Sequence, residues 1–338
     1  MILKSALRNC LAKTLYLSGL TSPARQLVSK LSVVTFHRVL PDNERAEYPY
    51  PGLVITPREL DAFLGFFTAN FDCGTLDAQF GRFNSGAPSA KPLLALTFDD
   101  GQFDNCLHAQ PILSRYGVKA TFFVPVCAVR ENQLLWHDQL GFSLQHLGRT
   151  SDGARLARAE LAAAGLKTEV GAGDMLVTAV RGAKKILLSD RLRLIERLVD
   201  ASRGYAPPEY ARMMTPAEIV GLAGEGHEIG SHSMTHCLMP ECDDAALEFE
   251  TAESRRQLGE IISGSIRSFC YPNGDADERC EAAVAAAGYR CAVTTSHGAN
   301  QAFPMPFRLA RFDMDASRMR NSAGAIADHQ IAFRLARK

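Results

Sequence analysis

The stretch Leu93-Leu94-Ala95-Leu96-Thr97-Phe98-Asp99-Asp100-Gly101 decides the fold class of this 338-residue chain. Its first six residues are almost all apolar, as in a parallel strand that is buried on both faces. Two carboxylates follow at the carboxyl end of the strand, where active sites form in parallel α/β folds. Successive strand residues point to opposite faces, so both carboxylates can serve one site only if the chain turns sharply, which Gly101 permits.

Six further segments have the composition of buried parallel strands, and helix-type segments alternate with them. The strand-type segments are 31–37, 118–124, 227–230, 266–271, 289–294 and 307–312. The helix-type segments are 56–60 and 215–224, which both begin with Thr-Pro, and 104–116, 243–262 and 277–287. This alternation predicts an α/β protein with a parallel sheet or barrel.

One interval breaks the even spacing of the strands, between Val126 and Met214. Its helical patterns, notably 187–202, indicate an insertion above the barrel mouth rather than a separate domain. The predicted organisation is an N-terminal amphipathic helical segment at 1–30, a barrel at 31–315 with an insertion at about 127–214, and a C-terminal helical tail at 316–338.

The composition excludes some classes of partner. Hydrophobic residues make up 46% of the chain, and 37 basic residues balance 37 acidic ones. With no net charge, the chain has no overall positive field that would favour nucleic acid. We therefore expect no nucleic-acid partner.

Cysteine use and the first 30 residues bear on location. Nine cysteines, an odd number without CxxC spacing, fit a reduced compartment better than a disulfide framework. No apolar run reaches the length of a spanning helix. Arg8, Lys13 and Arg25 interrupt the apolar character of residues 2–30. We therefore interpret residues 2–30 as an amphipathic helix rather than a secretory signal. We expect a cytoplasmic protein with this helix packed on the barrel. The alternative is peripheral contact with the inner face of the membrane.

A second motif, His232-Ser233-Met234-Thr235-His236, supplies two imidazoles. A spacing of four places both rings on one face of a helical turn. Together with Asp100 they make a His₂Asp metal site that keeps open positions for water and substrate. We expect one divalent metal, with Zn²⁺ first and Co²⁺, Ni²⁺ or Fe²⁺ as alternatives.

The second carboxylate of the first motif then remains free. Asp99 would act as the general base that deprotonates a water activated by the metal. A carbonyl at the next open position would be polarised, and backbone N–H groups of a nearby loop would complete an oxyanion hole. The pattern predicts a metal-dependent hydrolase.

The two motifs resemble those of the polysaccharide deacetylase family, also called the NodB-homology family or carbohydrate esterase family 4. Residues 97–101 match its Thr-Phe-Asp-Asp-Gly motif and residues 232–236 its His-Ser/Thr-x-x-His motif. The resemblance runs from about Val33 to Phe312. Phe36-His37-Arg38-Val39 and Trp136-His137-Asp138 resemble the branch that includes exopolysaccharide deacetylases.

This resemblance implies a distorted (β/α) barrel, with the helical insertion between the third and fourth core strands. It also implies a divalent metal on Asp100, His232 and His236, with Asp99 as the base. The implied reaction removes acetyl groups from N-acetylated sugars of a polysaccharide or its precursor, so the implied partner is an acetylated sugar or polysaccharide.

Two motifs depart from the family pattern. The third, usually Arg-x-Pro-Tyr-Gly, reads Cys270-Tyr271-Pro272-Asn273-Gly274. Cys270 replaces the arginine that would orient the base, and Arg311 is a candidate to replace it. The backbone amide of Asn273 matches the family's oxyanion donor.

The fifth motif, Leu-x-His, reads Leu309-Ala310-Arg311. Arginine stays protonated and cannot deliver a proton at neutral pH. We therefore hypothesise that His37, at a strand end, is the general acid. A buried structural histidine is the alternative interpretation.

Two other functions stay open. The chain could hydrolyse another non-peptide C–N bond in a small amide, because the family's arginine and histidine are missing. It could also bind glycan without turnover. Asp99 argues against that, since a binding module needs no spare carboxylate beside three metal ligands.

Overall fold

The computed structural model describes residues 2–167, 172–301, 305–321 and 323–337. Ten strands occur in the described residues. They are β1 (Leu31–Phe36), β2 (Arg38–Val39), β3 (Val54–Ile55), β4 (Asp72–Gly74), β5 (Leu93–Phe98), β6 (Thr121–Val124), β7 (Glu228–Ser231), β8 (Ser268–Cys270), β9 (Cys291–His297) and β10 (Leu309–Asp313).

Seven of these strands close into a parallel barrel in the order β1-β5-β6-β7-β8-β9-β10, with β10 pairing back onto β1. They are the seven segments that the sequence predicts as strands, so the predicted barrel is confirmed. β4 lies beside the first half of β5, and β6 pairs with its second half. β2 and β3 form a separate pair.

β6 begins three residues later than predicted, because its predicted first residues form other hydrogen bonds. The N–H of Val118 closes the preceding helix on the carbonyl of Leu113. The N–H of Ala120 donates to Nδ1 of His227 at 3.2 Å.

Sixteen α-helices occur in the described residues. They are α1 (Ile2–Leu17), α2 (Pro23–Gln26), α3 (Asp42–Glu47), α4 (Pro57–Asn70), α5 (Leu76–Asn84), α6 (Gln110–Arg115), α7 (Val126–Glu131), α8 (Trp136–Leu147), α9 (Ser151–Ala163), α10 (Ala172–Ala183), α11 (Leu188–Ala201), α12 (Pro216–Gly224), α13 (Asp244–Glu248), α14 (Ser254–Ile262), α15 (Glu278–Ala286) and α16 (Asp328–Ala336).

Two segments predicted as single helices contain a π-helical turn, at Asn105–Ala109 and at Phe249–Glu253. In the first, Pro111 lacks an N–H and its ring crowds the preceding turn, so the chain widens there. The second turn lies beside the candidate site, where such turns frequently occur.

Strand alternation sorts the barrel side chains into two sets. One set forms an apolar cluster that includes Leu31, Val33, Leu93, Ala95 and Leu309. The alternate residues of β1 and β5 pack into the large core that the surrounding helices share. At the carboxyl ends of the strands, the first set continues as a buried polar layer made of Thr35, Thr97, Asp99 and Arg311.

The predicted helical insertion lies between the third and fourth barrel strands, β6 and β7. Helices α8, α9, α10 and α11 share a small core of their own, which contains Leu140, Leu144, Leu161, Leu194 and Leu198.

α1 packs against α16 on the outside of the barrel. The amide of Gln330 donates to Oδ1 of Asn9 at 2.7 Å, and Ala12 is fully buried. Among the described helices, none combines the length and the apolar composition that crossing a membrane requires.

Candidate active site

A left-handed turn brings both carboxylates of the first motif into one site. Asp100 has φ 74° and Gly101 has φ 64°, so the predicted sharp turn begins at Asp100 itself. Side chains other than glycine rarely adopt this conformation. Asp99 keeps the inward position of its strand, and the reversal redirects Asp100 to the same pocket. A side chain at Gly101 would lie 3.1 Å from the ring of Pro125.

The two histidines of the second motif lie on an irregular loop after β7, so the predicted helical turn is wrong. Ser233 and His236 have φ values of 66° and 58°. Their left-handed conformations fold the loop back on itself, and the ring centroids of His232 and His236 are 4.7 Å apart. The loop therefore achieves the ring proximity that we expected from a helix.

Glu250 holds this loop in place, and sequence reasoning missed it. Its Oε2 accepts the N–H groups of Met234 at 2.8 Å and Thr235 at 3.0 Å. Its Oε1 accepts the hydroxyl of Thr235 at 2.6 Å. Glu250 is buried in the second π-helical turn. Its one signal in the sequence is a carboxylate within a predicted helix, which does not distinguish it from surface glutamates.

The three predicted metal ligands, Asp100, His232 and His236, lie together in the structure. Oδ1 of Asp100 lies 3.4 Å from Nε2 of His232 and 3.3 Å from Nε2 of His236. All three side chains are buried. They offer one carboxylate oxygen and two imidazole nitrogens within 4.8 Å of one another. This is a donor set that a divalent metal prefers.

The hydrogen bonds of His232 show that the site needs a positive charge. Nδ1 of His232 lies 2.7 Å from the carbonyl oxygen of Cys270 and must donate to it. In the neutral ring Nε2 then carries a lone pair that faces the oxygen of Asp100. Two acceptors face each other, and a cation between them resolves the conflict. The residues present thus fit a metal.

The pKa directions agree with this geometry. Burial raises the pKa of Asp100, but its interactions with the imidazoles of His232 and His236 more than offset this and hold it well below its usual value. Burial lowers the pKa of His236 to about 4, so its ring is neutral, as a metal ligand must be. Burial also lowers the pKa of His232, but Cys270 and Asp100 reverse this and raise it.

Arg311 binds both oxygens of the Asp99 carboxylate. Nη1 donates to Oδ1 and Nη2 donates to Oδ2, each at 2.8 Å. The guanidinium also lies 3.3 Å from the sulfur of Cys270. Burial raises the pKa of Asp99, but Arg311 more than offsets it and lowers the value. Arg311 therefore occupies the orienting position that Cys270 leaves open.

This contact also decides between two candidate metal groups. Asp99, His232 and Cys270 form a second group with ligand atoms within 4.8 Å. A metal there would lie beside the guanidinium of Arg311, which repels a cation. Asp100, His232 and His236 are free of this repulsion and form the better site.

His37 lies beside the carboxylate that is predicted to be the base. Its Nε2 is 3.9 Å from Oδ2 of Asp99, and a quarter of its side chain is exposed. The structure thus brings together an imidazole that solvent can reach and the predicted base.

Asn273 lies in the turn after β8, with φ 60°. Lys184 donates a hydrogen bond to its side-chain oxygen. Burial lowers the pKa of Lys184, while Asp275 and Asp100 oppose the change. Sequence reasoning missed Lys184, because nothing local shows that a lysine at the end of α10 reaches the third motif.

The two segments that resemble the exopolysaccharide branch meet in the structure. Arg38 is completely buried, 2.8 Å from Asp104 and 4.0 Å from Asp138. Asp138 follows His137, whose ring lies 5.6 Å from that of His236. The first turn of α8 therefore packs beside His236, a predicted metal ligand.

Comparison of the sequence with known families gives one match. Residues 86–149 and 194–292 match the family model of the polysaccharide deacetylases. The unmatched interval falls in the helical insertion. A search of curated proteins gives no match.

Solved structures share the fold. The deacetylase PplD of Streptococcus pyogenes, in complex with acetate, is 17% identical, with 84% of this chain and 92% of that chain covered and a TM-score of 0.55. IcaB from Ammonifex degensii is 16% identical, with 83% and 90% covered and a TM-score of 0.53. The deacetylase domain of BpsB from Bordetella bronchiseptica is 17% identical, with 84% and 95% covered and a TM-score of 0.50.

Both intact motifs lie within the two matched segments, and the barrel is that of the solved deacetylases. The chain therefore belongs to the polysaccharide deacetylase family, whose hydrolases remove acetyl groups from acetylated polysaccharides.

Proposed function

We propose that this protein is a metal-dependent de-N-acetylase that acts on N-acetylated sugars of an exopolysaccharide or its precursor. The observation that carries the proposal is the convergence of Asp100, His232 and His236 beside a second carboxylate, Asp99, that a guanidinium holds. Three ligands with a separate base are what metal-assisted hydrolysis requires.

A divalent metal at Asp100, His232 and His236, with Zn²⁺ as first choice, would supply Lewis acidity to the substrate carbonyl and to water. Asp99 accepts the proton of the attacking water. Arg311 keeps this carboxylate ionised and fixes its direction. The base is therefore ready before substrate binds.

The remaining steps use two residues at the rim of the pocket. The backbone N–H of Asn273 donates to the oxygen that becomes negative when water adds to the amide. His37 in its protonated form donates a proton to the leaving amine as the C–N bond breaks. The products are acetate and a free amino sugar, and the proton balance closes through Asp99 and His37.

Two other functions compete with this proposal. Hydrolysis of a small non-sugar amide would use the same metal and base. A glycan-binding barrel would need neither Asp99 nor turnover. The two segments that resemble the exopolysaccharide branch support the exopolysaccharide substrate, and the contact between Arg38 and Asp138 joins them in the structure.

The first test measures metal content and acetate release from N-acetylglucosamine oligomers. We expect about one metal per chain, lost in Asp100→Ala and in His232→Ala. Asp99→Asn should keep the metal and lose activity about 10²- to 10⁴-fold. Hydrolysis rates on a panel of small non-sugar amides distinguish the proposed function from small-amide hydrolysis. Absence of metal after loading with Zn²⁺, or full activity of Asp99→Asn, would overturn the proposal.

The second test concerns the general acid. His37→Ala should keep the metal and slow acetate release about 10²-fold or more. His108→Ala is the matched control, since His108 lies in the first π-helical turn and has no contact with Asp99 in the described structure. A rate for His37→Ala equal to that of the control would remove His37 from the mechanism.

A further inference from the structure

The first 30 residues differ in charge from the rest of the chain. They contain Lys4, Arg8, Lys13, Arg25 and Lys30 and no aspartate or glutamate, whereas the whole chain has 37 residues of each sign. This part of the molecule is therefore uniformly positive on a protein that is neutral overall.

The same segment exposes large apolar side chains. Fifteen such side chains are exposed in the described residues, and five of them belong to this segment. They are Leu7, Leu11, Leu17, Leu20 and Val28, with Leu7 and Leu17 more than 70% exposed. Single exposed leucines are ordinary, but a concentration of them marks an interaction surface.

The helical geometry of α1 separates a docked face from a free one. Asn9, Ala12 and Tyr16 lie on one side of the helix, where Asn9 bonds to α16 and Ala12 is buried. Leu7 and Leu11, one turn apart, lie on the opposite side. Arg8 is exposed beside this leucine face, whereas Lys13, four residues after Asn9, is exposed on the side of α1 near His329 of α16. Packing on the barrel thus uses one face of α1 and leaves the leucines free.

We propose that this surface, the exposed leucines and basic residues of 7–28, docks on an anionic phospholipid bilayer. A helix that presents leucines together with exposed basic residues lies in the membrane interface, with its apolar side chains at the acyl boundary and its cations at the phosphates. Charge complementarity selects anionic lipid as the occupant. Docking goes beyond the proposed deacetylation and does not depend on it. It would hold the barrel at the membrane surface.

The test is co-sedimentation of the full chain with vesicles of phosphatidylcholine alone and with vesicles that also contain phosphatidylglycerol. We expect binding to the anionic vesicles at least about tenfold tighter than to the neutral ones, and weaker binding as salt rises. Arg8→Glu/Lys13→Glu should reduce binding about tenfold or more.

A leucine pair provides the matched comparison. Leu7→Ser/Leu11→Ser should lose at least about tenfold in vesicle binding. Leu188→Ser/Leu192→Ser removes two exposed leucines one turn apart on α11 and should bind as the native chain does. Circular dichroism and the melting temperature verify that each variant is folded.

Three results would overturn the proposal. The first is no binding of the native chain to anionic vesicles. The second is equal loss in both leucine pairs. The third is a native dimer, seen by light scattering, that Leu7→Ser/Leu11→Ser dissociates while vesicle binding stays absent. That last result would assign the surface to a second copy of the chain.

Discussion

At the residue scale, Arg311 on β10 holds the carboxylate that an arginine of the third motif would orient in the family pattern. That pattern places arginine at the end of β8, where this chain has Cys270. Arg311 on β10 reaches the same carboxylate and contacts the sulfur of Cys270 at 3.3 Å. A second long side chain at position 270 would compete for this space. The short thiol and the guanidinium of Arg311 are therefore two parts of one arrangement.

We expect Arg311→Gln to destabilise the protein by about 3–5 kcal/mol, because it leaves the Asp99 carboxylate buried without a charged partner. Urea denaturation measures this loss. Arg311→Lys is the comparison, since it keeps the charge but cannot bond both oxygens. Arg311→Lys should lose less stability than Arg311→Gln and still release acetate more slowly than the native chain. Native stability in Arg311→Gln would show that the ion pair contributes nothing.

Glu250 should control metal affinity without touching the metal. Glu250→Ala removes the acceptor of the N–H groups of Met234 and Thr235, so the ligand loop shifts. We expect metal affinity to fall about 10- to 100-fold, measured by calorimetric titration with Zn²⁺.

The matched control for this prediction is Glu228→Ala. Glu228 also accepts several hydrogen bonds, including the N–H of Asp77 at 2.9 Å and the hydroxyl of Thr121 at 2.7 Å, but it begins β7 at the end away from the site. It should change stability and leave metal affinity unaltered. Equal affinities in the two variants would refute the role of Glu250.

At the scale of elements, α8 is the connection between the insertion and the barrel. Asp138 accepts the hydroxyl of Tyr48 at 2.6 Å and the amide of Gln102 at 2.9 Å. Both donors come from barrel loops. The insertion is thus fixed to the barrel by a buried carboxylate rather than by apolar packing alone.

Asp138→Ala should destabilise the protein by about 3 kcal/mol, since two buried donors and the guanidinium of Arg38 lose a partner. Limited proteolysis should then cut first in the insertion. Asp152→Ala removes an exposed aspartate that pairs with Arg155 on α9, and it should cost about 0.5 kcal/mol or less. Similar losses in both variants would exclude Asp138 as the anchor.

At the scale of the whole molecule, stability should fall as the pH falls from 7 to 5. His227 is buried, and burial, with a smaller contribution from Lys119, lowers its pKa from 6.5 to about 4. The unfolded chain therefore takes up a proton below about pH 6.5, while the folded chain does so only near pH 4. In this window His227 alone removes about 2 kcal/mol of stability.

The free energy of unfolding from urea titrations at pH 7 and pH 5 measures this dependence. His227→Gln should reduce the difference between the two values by about 2 kcal/mol, because the titrating group is gone. All other titratable groups are the same in the two proteins, so their contributions to the pH dependence cancel. The same pH dependence in the variant and the native chain would contradict the assignment.

The sequence by itself determined the seven barrel strands, the position of the insertion and the two motifs. Buried parallel strands are continuous apolar runs, and this signal is local, so each strand could be located within a few residues. Asp99, Asp100, His232 and His236 were recognisable because both motifs are contiguous. Their approach to one another follows from strand ends that meet at one edge of the barrel.

Only the tertiary structure decided how these groups are aimed and held. The left-handed turn at His236, the carboxylate of Glu250 under the ligand loop and the lysine from the insertion have no local signal. The pair between Asp99 and Arg311 joins residues 212 positions apart. Such contacts depend on closure of β10 onto β1, and the strained loops persist because buried partners hold them. Pairing across the barrel, rather than composition along the chain, sets the chemistry of the site.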